Sequence, residues 1–419
     1  MSSLWIEGGH PLVGHVDVEG NKNAALPLLA ACLLTEEQCV LTNVPRIRDV
    51  EVMARLLSDV GAEIDGIGTP TIRVSARSIV KDEPDPELVA RLRGSVLLLG
   101  PLLARRGRAR LAPPGGDFPA RRTILTHLEG LRHLGVRSLS SEVHTLEAPN
   151  GLMGASFYLE EASVTGTETV LLAAAAASGR TVIRHAATEP HVVQLCRFLG
   201  KMGASIEGAG SSTIRVEGSP HLTGAVERLE GDYIEAGSWA VAAAITGGEI
   251  EVRGARAEDV EPAAFVLQRM NVQCRLEDGR LSVRAPAKLV AARRITTGLW
   301  PGFPSDLVSL VTVLATQAEG RTLVHDWMYE LRLFALEQLS GMGADLFLCD
   351  PHRIIVTGPR RLRGRALDSR DLRSGMALAA AALASDGESR ITPLETVERG
   401  YANLVENMQR LGAKVERID

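Results

Sequence analysis

The sequence predicts an α/β protein of two domains, in which helices lie inside and sheets lie outside. The chain has 419 residues, which is enough for two or three domains of ordinary size. A helix–turn–strand pattern recurs six times along it, at intervals of about 70 residues. Between these marks lie helices rich in Ala and Leu, and helices that are apolar on most faces are buried. Six such units are too few and too complex for a solenoid, so two domains of three units each are expected.

Each repeat is marked by an amphipathic helix that ends at a small turn residue and is followed by a strand. The turn residues are Gly61, Gly135, Gly203, Asn271, Gly343 and Gly412. Glycine and asparagine take the positive φ that is common just after a helix more readily than other residues. We therefore expect a left-handed residue at all of these positions.

Each repeat also contains an apolar helix, a breaker and then a strand of alternating or β-branched residues. The predicted helix–strand pairs are Leu26–Leu34 with Cys39–Val44, Val96–Ala104 with Arg108–Leu111, Val170–Ala177 with Thr181–His185, Trp239–Ile245 with Glu249–Val252, Leu310–Ala315 with Thr322–His325, and Met376–Ala384 with Ser389–Thr392. These helices are predicted to form the interior of the two domains.

The composition excludes several classes of protein. Hydrophobic residues make up 45% and charged residues 23%, which is typical of a globular chain and not of a disordered or collagenous one. A net charge of −5 and only 4% aromatic residues argue against nucleic-acid partners. Apolar runs are broken within about 17 residues, too short for a membrane span, and residues 1–10 do not resemble a signal peptide.

The cysteines indicate free thiols in a reducing, cytoplasmic environment. They are scattered and odd in number: Cys32, Cys39, Cys196, Cys274 and Cys349. No pair has C-x-x-C spacing, and no cluster with histidine has the spacing of a zinc site. We therefore predict no bound metal.

Several segments contain side chains suited to an anionic substrate, and each also has a purely structural interpretation. Lys22 and Asn23 begin a helix and form an anion site or a solvated turn. The Pro- and Gly-rich segment 113–122 is a binding loop or an ordinary surface loop. Asp306 is a general base or a helix cap. The arginines at 332, 373 and 399 form surface ion pairs or, together with Lys22 and the arginines at 93 and 122, bind a carboxylate and a phosphate.

Motifs along the chain, taken in order, resemble a known family. They are Leu12–Pro27, Asn43–Val50, Leu99–Arg105, Ser163–Thr167, Glu189–Pro190, Gly302–Asp306, Asp371–Arg373 and Arg399–Tyr401. This combination spans essentially the whole chain and resembles the UDP-N-acetylglucosamine 1-carboxyvinyltransferases, the enolpyruvyl transferases that begin peptidoglycan synthesis. The phosphate and shikimate motifs of the related 5-enolpyruvylshikimate-3-phosphate synthases are not found.

The resemblance implies a two-domain inside-out α/β barrel built from six βαββαβ repeats, the enolpyruvyl transferase fold. Domain one is expected at residues 22–229 and carries a lid loop around residues 111–123. Domain two is expected at residues 1–21 and 230–419. The family places its active site in the cleft between the domains, which closes over the bound nucleotide sugar.

The resemblance also implies the chemistry. The sugar 3-hydroxyl attacks C2 of phosphoenolpyruvate while C3 is protonated, and the tetrahedral adduct then loses phosphate. The implied partners are phosphoenolpyruvate and UDP-N-acetylglucosamine, with no cofactor or metal, and the chain is expected to be a monomer or a weak homo-oligomer. The implied catalytic residues are Asp117, Asp306, Lys22 and Arg399, and the implied substrate-binding residues are Asn23, Arg93, Arg122, Ser163, Val164, Met328, Arg332 and Arg373.

Within that set, Asp306 matches the general base of the family. Lys22, Arg122 and Arg399 match its phosphate pocket, and Arg373 with Arg399 matches the contacts to the carboxylate. Asn23 matches a contact to the sugar, and Arg93 a contact on the nucleotide side.

The sequence departs from the family at three places. Asp117 stands where many members have a cysteine that acts as the acid and is alkylated by fosfomycin, so resistance to fosfomycin is expected. A carboxylic acid can donate the same proton if burial raises its pKa. Ala120, Thr123 and Leu125 replace the Gly, Pro and Asp of a segment that helps to hold uridine, and Tyr233 stands where the family often has Arg.

These departures leave two alternatives beside the main hypothesis, which is enolpyruvyl transfer to UDP-N-acetylglucosamine. One is a diverged enolpyruvyl transferase that acts on another hydroxyl acceptor, such as a nucleotide in secondary metabolism. The other is a non-catalytic paralogue that binds a nucleotide sugar. Retention of Lys22, Asp306, Arg373 and Arg399 argues against the second alternative, because a binding scaffold does not need this set.

Overall fold

A computed structural model describes residues 2–116, 123–140, 143–277 and 279–419 of the chain. The chain divides into two compact units. The terminal unit consists of Met1–Glu19 and Gly231–Asp419, and the central unit is Gly20–Glu230. The domain predicted at residues 22–229 differs from the central unit by two residues at one end and one at the other.

The central unit has apolar helices inside and amphipathic helices outside. The inner helices are Lys22–Ala31, Leu99–Arg106 and Val164–Ala175, and the first two both contact the third. Short 3₁₀ turns extend them at Cys32–Leu34 and Arg93–Leu98. The outer helices are Arg48–Asp59, Pro86–Val89, Leu125–His133 and Pro190–Lys201.

The described strands of the central unit form three sheets. In spatial order, the strands of the first sheet are Val226–Arg228, Gln38–Thr42, Thr71–Ser75 and Glu63–Asp65. Those of the second are Ser205–Glu207, Thr213–Glu217, Arg180–Arg184 and Ser156–Tyr158. Those of the third are Arg108–Leu111, His144–Glu147 and Arg137–Ser140. The two four-stranded sheets each have one parallel pair at an edge and antiparallel pairs elsewhere.

The terminal unit repeats this plan. Its inner helices Tyr233–Ile245, Val308–Ala315 and Leu372–Leu383 all contact one another. Its outer helices are Ala257–Arg269, Gln338–Gly341, Leu394–Val397 and Leu404–Arg410, with 3₁₀ turns at Ser305–Leu307 and Arg332–Glu337.

Among the described residues, the sheets of the terminal unit also number three, each with four strands. In spatial order, the strands of the first sheet are Ala366–Asp368, Glu388–Thr392, Ser3–Glu7 and Lys414–Ile418. Those of the second are Gln273–Glu277, Arg280–Arg284, Glu249–Arg253 and Val13–Asp17. Those of the third are Arg294–Thr296, Gly320–His325, Arg353–Gly358 and Asp345–Asp350. The first two strands of the chain pair with strands from its second half, so the N-terminal segment belongs to this unit.

The six apolar helices predicted from the sequence are confirmed, although they begin at different residues from those predicted. Every residue of Tyr233–Ile245 and of Leu372–Leu383 is buried. Close packing requires a glycine at one contact: a Cβ atom on Gly100 would lie 2.8 Å from the carbonyl oxygen of Thr169. A larger residue at position 100 would therefore push the helix Leu99–Arg106 away from its neighbour.

The six turn residues that mark the repeats are also confirmed. All have positive φ, from 70° at Asn271 to 115° at Gly61. Each follows an amphipathic outer helix and lets the chain turn back into a strand.

Two further findings concern the described residues alone. None of their helices combines the length and the apolar run needed to span a membrane. They contain no group of three or more His, Cys, Asp or Glu side chains placed to hold a metal ion.

Candidate active site

Most of the predicted site residues lie at the N-terminal ends of inner helices. In the central unit these are Lys22 and Asn23, Arg93 in the turn before the second helix, and Ser163 with Val164. In the terminal unit they are Asp306, in the turn before Val308–Ala315, and Arg373, the second residue of Leu372–Leu383. The first N–H groups of a helix have no partner within it and the helix dipole is positive there, so these ends suit anionic ligands.

Polar side chains cap these helices and fix where they begin. Asn21 Oδ1 accepts a hydrogen bond of 3.0 Å from the backbone N–H of Ala24, and Ser163 Oγ accepts one of 3.2 Å from Gly166. Asp371 Oδ1 accepts from the N–H groups of Arg373 at 2.9 Å and of Ser374 at 3.0 Å. Caps of this kind each stabilise a helix start by about 0.5–2 kcal/mol. Ser163 therefore has a structural role besides the predicted one.

Lys22 is held by a buried ion pair. Its Nζ atom lies 2.7 Å from Asp49 Oδ2, and the side chains of both residues are largely buried. Removing one partner of a buried pair leaves an uncompensated charge, which typically costs about 3–5 kcal/mol. Asp49 belongs to a motif that the family resemblance quoted, but sequence reasoning did not assign it a role.

Arg93 is tied to the segment that departs from the family. Its Nη2 atom donates a hydrogen bond of 2.7 Å to the backbone carbonyl of Thr123. Thr123 Oγ1 accepts one of 3.1 Å from the N–H of Leu125, which begins the helix Leu125–His133. The Leu125 side chain is 58% exposed. The Thr123 side chain therefore stabilises the turn before this helix. The exposed side chain of Leu125 can be replaced without disturbing the core.

Asp306 lies between two arginines of the terminal unit. Its Oδ1 atom accepts a hydrogen bond of 3.0 Å from Arg332 Nη1, and its Oδ2 atom accepts one of 2.8 Å from Arg373 Nη2. The side chains of both arginines are at most one tenth exposed, whereas Asp306 keeps about a quarter of its surface. The carboxylate is therefore oriented from two sides and still accessible.

The guanidinium of Arg373 is held in place by Tyr401. Its Nη1 atom donates to Tyr401 Oη at 3.4 Å, and this hydroxyl shares a hydrogen bond of 2.8 Å with Ser238 Oγ. Burial lowers the pKa of Arg373, but the charges of Asp306, Tyr401 and Asp232 and the hydrogen bond to Tyr401 together raise the net pKa above its ordinary value. Arg373 stays charged in a buried place where it can bind an anion.

Arg332 stacks on an aromatic ring. Its Cζ atom lies 4.1 Å from the centre of the Tyr329 ring, within the range of a cation–π contact. Its Nη1 atom also donates to Ser305 Oγ at 3.1 Å. The contacts to Asp306, Ser305 and Tyr329 restrict Arg332 to one orientation.

For the remaining predicted site residues the structure does not test the predicted roles. Asn23, Met328 and Arg399 are half-buried. Asp117 and Arg122, like the central part of the predicted lid loop, lie outside the described residues. The roles predicted for these residues stay predictions.

Sequence reasoning missed several side chains that surround the charged groups. Tyr401 stands in the quoted motif Arg399–Tyr401, and Ser305 directly precedes Asp306, so both could have been noticed. Ser238 and Asp326 gave no signal, because each becomes relevant only through contacts with residues distant in the chain.

Glu235 is a buried carboxyl group on the inner helix Tyr233–Ile245. Burial, with the nearby charge of Asp232, raises its pKa to about 8. Its Oε1 atom accepts a hydrogen bond of 3.1 Å from Trp239 Nε1. The group is therefore protonated through much of the neutral range.

The inside-out fold and the cationic ends of its inner helices define an enolpyruvyl transferase. The chain belongs to the EPSP synthase (3-phosphoshikimate 1-carboxyvinyltransferase) family, whose model matches residues 6–408. This confirms the fold and the resemblance predicted from the sequence.

Within the family, the chain is similar to proteins named UDP-N-acetylglucosamine 1-carboxyvinyltransferase. It is 40% identical to that of Borreliella burgdorferi, covering 100% of this chain and 99% of the relative. It is 42% identical to that of Bradyrhizobium diazoefficiens, covering 99% and 97%. Among solved structures it is similar to the enolpyruvyl transferase NikO from Streptomyces tendae, with a TM-score of 0.88, 25% identity and coverage of 99% and 98%.

Proposed function

We infer that the chain transfers the enolpyruvyl group of phosphoenolpyruvate to the 3-hydroxyl of UDP-N-acetylglucosamine and releases phosphate. This is the first committed step of peptidoglycan synthesis. The observation that carries the inference is the full-length similarity to relatives of that name, at 40% and 42% identity. The contacts around Asp306 support it, because they combine a candidate base with two buried cations.

In the proposed addition step, the oxygen of the sugar hydroxyl attacks C2 of phosphoenolpyruvate while Asp306 accepts the proton of that hydroxyl. The Asp117 carboxyl gives a proton to C3. In the elimination step the Asp117 carboxylate takes a proton back from C3 and the bond from C2 to the phosphate oxygen breaks. The leaving phosphate takes up the proton that Asp306 accepted, and the enol ether remains. Each oxygen of the Asp306 carboxylate has two lone pairs, so Oδ2 can accept the proton while it remains bonded to Arg373.

The cationic side chains compensate the negative charge of the donor. Arg373, which is buried and charged, is assigned to the carboxylate with Arg399. Lys22, Arg122 and Arg399 are assigned to the phosphate. Donors fixed before the reaction stabilise charge in the transition state at little reorganisation cost. The buried ion pair of Lys22 with Asp49 supports this, because it holds the ammonium at a helix start.

The remaining assignments concern the nucleotide sugar. Asn23 is assigned to the sugar, and Arg93, Ser163, Val164, Met328 and Arg332 to further substrate contacts. We propose that the chain works in the cytoplasm as a monomer or weak homo-oligomer. The five cysteines are free thiols, which supports a reducing compartment.

A second candidate function is enolpyruvyl transfer to another hydroxyl acceptor. One observation favours it: Thr123 and Leu125 stand where the family has residues that help to hold uridine. The non-catalytic alternative is disfavoured, because a paralogue that only binds has no need of Asp306 held between two buried arginines.

An acceptor panel tests the two functions. Phosphate release from phosphoenolpyruvate is measured with UDP-N-acetylglucosamine, UMP or shikimate 3-phosphate as the acceptor, and without any acceptor. The proposed function predicts release with UDP-N-acetylglucosamine. Release with UMP alone would favour the second function, and no release with any acceptor would contradict both.

A further inference from the structure

Asp326 is a fully buried carboxylate just beyond the strand Gly320–His325. Its exposed fraction is 0%. Its Oδ1 atom accepts a hydrogen bond of 2.9 Å from Thr297 Oγ1, and its Oδ2 atom accepts one of 2.8 Å from Ser305 Oγ. Burying a carboxylate is costly unless its charge and lone pairs are satisfied. An apolar residue would fill the same place at lower cost, so the carboxylate requires another explanation.

The hydrogen bonds give the Ser305 hydroxyl a defined direction. An ionised carboxylate only accepts, so Ser305 directs its proton to Asp326. The lone pairs of Ser305 Oγ are then free to accept from Arg332 Nη1 at 3.1 Å. The same Nη1 atom also donates a hydrogen bond of 3.0 Å to Asp306 Oδ1. A continuous chain of hydrogen bonds therefore joins Asp326 to Asp306.

We propose that Asp326 is a positioning residue for the transfer reaction, which through the Ser305 hydroxyl holds Arg332 and so orients the Asp306 carboxylate. The proposal rests on the proposed function, in which Asp306 is the base. It assigns Asp326 no contact with substrate.

The reaction itself gives this arrangement a purpose. When Asp306 accepts a proton it loses its charge, and the buried Arg332 would then lack a counter-ion on that side. Asp326 takes no part in that proton transfer and, through Ser305, continues to hold Arg332 in place. The pKa of Arg332 agrees with this: burial lowers it, but the charges of Asp306 and Asp326, with those of Tyr329 and Asp371, together raise it above its ordinary value.

Other charged or titratable groups face the same chain of hydrogen bonds. Tyr329 and Asp371 act on Arg332, and Arg373 binds Asp306 Oδ2. His352 Nδ1 contacts the backbone carbonyl of Asp326 at 2.8 Å. All of them remain in the variants below, so differences between variants report on Asp326 and Ser305.

The test is the titration of the Asp306 carboxyl in the full chain, followed by NMR with ¹³C-labelled aspartate and assigned with Asp306→Asn. In Asp326→Asn the charge of Arg332 acts on Asp306 with less compensation. The titration midpoint of Asp306 should therefore fall by about one pH unit, as expected for the loss of one nearby charge. Ser305→Ala should lower it by a smaller amount, and Ser305→Thr, which keeps the hydroxyl, should restore the wild-type midpoint.

Thr297→Val is the matched control, because it removes the hydrogen bond to the other oxygen of Asp326. It should leave the midpoint unchanged. An unchanged midpoint in Asp326→Asn, or equal shifts in Thr297→Val and Ser305→Ala, would overturn the proposal. If Asp326→Asn does not fold, the comparison of Ser305→Ala with Ser305→Thr decides: a wild-type midpoint in both would overturn it.

The same variants give a second readout in the phosphate-release assay. The acid limb of the kcat profile should move to lower pH in Asp326→Asn, while KM for phosphoenolpyruvate changes less than kcat. A wild-type chain without transfer activity would contradict the proposed function. The NMR titration would still decide the role of Asp326, so the two failures are distinguishable.

Discussion

Asp306 Oδ2 and Arg373 Nη2 lie 2.8 Å apart, although their residues are 67 positions apart in the sequence. Asp306 lies in the turn before the second inner helix of the terminal unit, and Arg373 lies in the first turn of the third. The contact places a candidate base directly beside a buried cation that can bind the donor. It connects the predicted acid–base chemistry with the predicted anion binding.

The first prediction concerns the base. Asp306→Asn keeps the size of the side chain and removes its basicity, so turnover should fall by about 10²–10⁴-fold. Steady-state phosphate release measures this effect. Asp345→Asn is the matched control, because it also removes the charge of an aspartate paired with an arginine, Arg360 at 2.6 Å, but in an exposed pair. Turnover of Asp306→Asn close to that of the control would contradict the assignment.

The second prediction concerns the acid at position 117. A carboxylate is a poorer nucleophile toward the fosfomycin epoxide than a thiolate. The wild-type chain should therefore resist inactivation, and Asp117→Cys should become sensitive. Time-dependent loss of activity and intact-protein mass spectrometry measure the two properties. A covalent adduct on the wild-type chain would show that the prediction is wrong.

The third prediction concerns the acceptor. Without the family Asp and Pro, a polar group of the nucleotide loses a partner, which weakens binding by about 1–3 kcal/mol, or roughly 10–150-fold. Leu125→Asp with Thr123→Pro should therefore bind UDP-N-acetylglucosamine more tightly than wild type in calorimetric titration. The substitution is compatible with the local structure, because Leu125 is 58% exposed and proline keeps the carbonyl that Arg93 contacts.

Leu125→Asp alone separates the two changes of this variant. Thr123→Pro removes the hydroxyl that accepts from the N–H of Leu125, so the double variant loses a small part of its stability. The single variant keeps that hydrogen bond. If wild type already binds tightly and neither variant improves on it, other contacts have replaced the family segment. Undetectable binding at millimolar concentration would favour another acceptor.

The fourth prediction concerns stability and pH. The pKa of Glu235 is raised from 4.5 to about 8 in the folded chain, so the folded state binds more protons than the unfolded state between these values. The free energy of unfolding of wild type should therefore fall as pH rises through this window. Glu235→Gln mimics the protonated group and keeps an oxygen for Trp239. It should remove this part of the pH dependence and be more stable at pH 8 by about 2–5 kcal/mol.

Denaturant unfolding at several pH values measures this difference. Well below pH 4.5 the two proteins should have similar stability, because Glu235 is then protonated in both states of wild type. Parallel stability curves for wild type and Glu235→Gln across this range would contradict the raised pKa.

Much of the fold could be predicted from the sequence because its repeats have a strong composition and period. The six turn residues were identified by residue type and spacing, and all have positive φ. The starts of the inner helices were predicted less well: Met376 was expected to begin a helix that begins at Leu372, and Leu26 one that begins at Lys22. The first turns of these helices contain charged and polar residues, which hide them from a hydrophobic pattern.

The contacts of the site could not be predicted in the same way. The packing of separate elements brings Lys22 to Asp49 and Asp306 to its two arginines, across 26 to 67 positions of sequence. Lys22, Asp306 and the two arginines were found through motifs and the family resemblance, whereas their pairing and the role of Asp49 were not. The buried chain from Asp326 to Arg332 had no sequence signal, because a lone aspartate after a strand is common.

The most direct test of the account is the product formed from phosphoenolpyruvate and UDP-N-acetylglucosamine, followed by ³¹P NMR and mass spectrometry. We expect stoichiometric inorganic phosphate together with a nucleotide sugar that has gained an enolpyruvyl ether on its 3-hydroxyl. The same mixture with the Asp306→Asn chain should accumulate neither at a comparable rate. Phosphate without the enol ether, or an unchanged nucleotide sugar after prolonged incubation with active wild-type chain, would contradict the account.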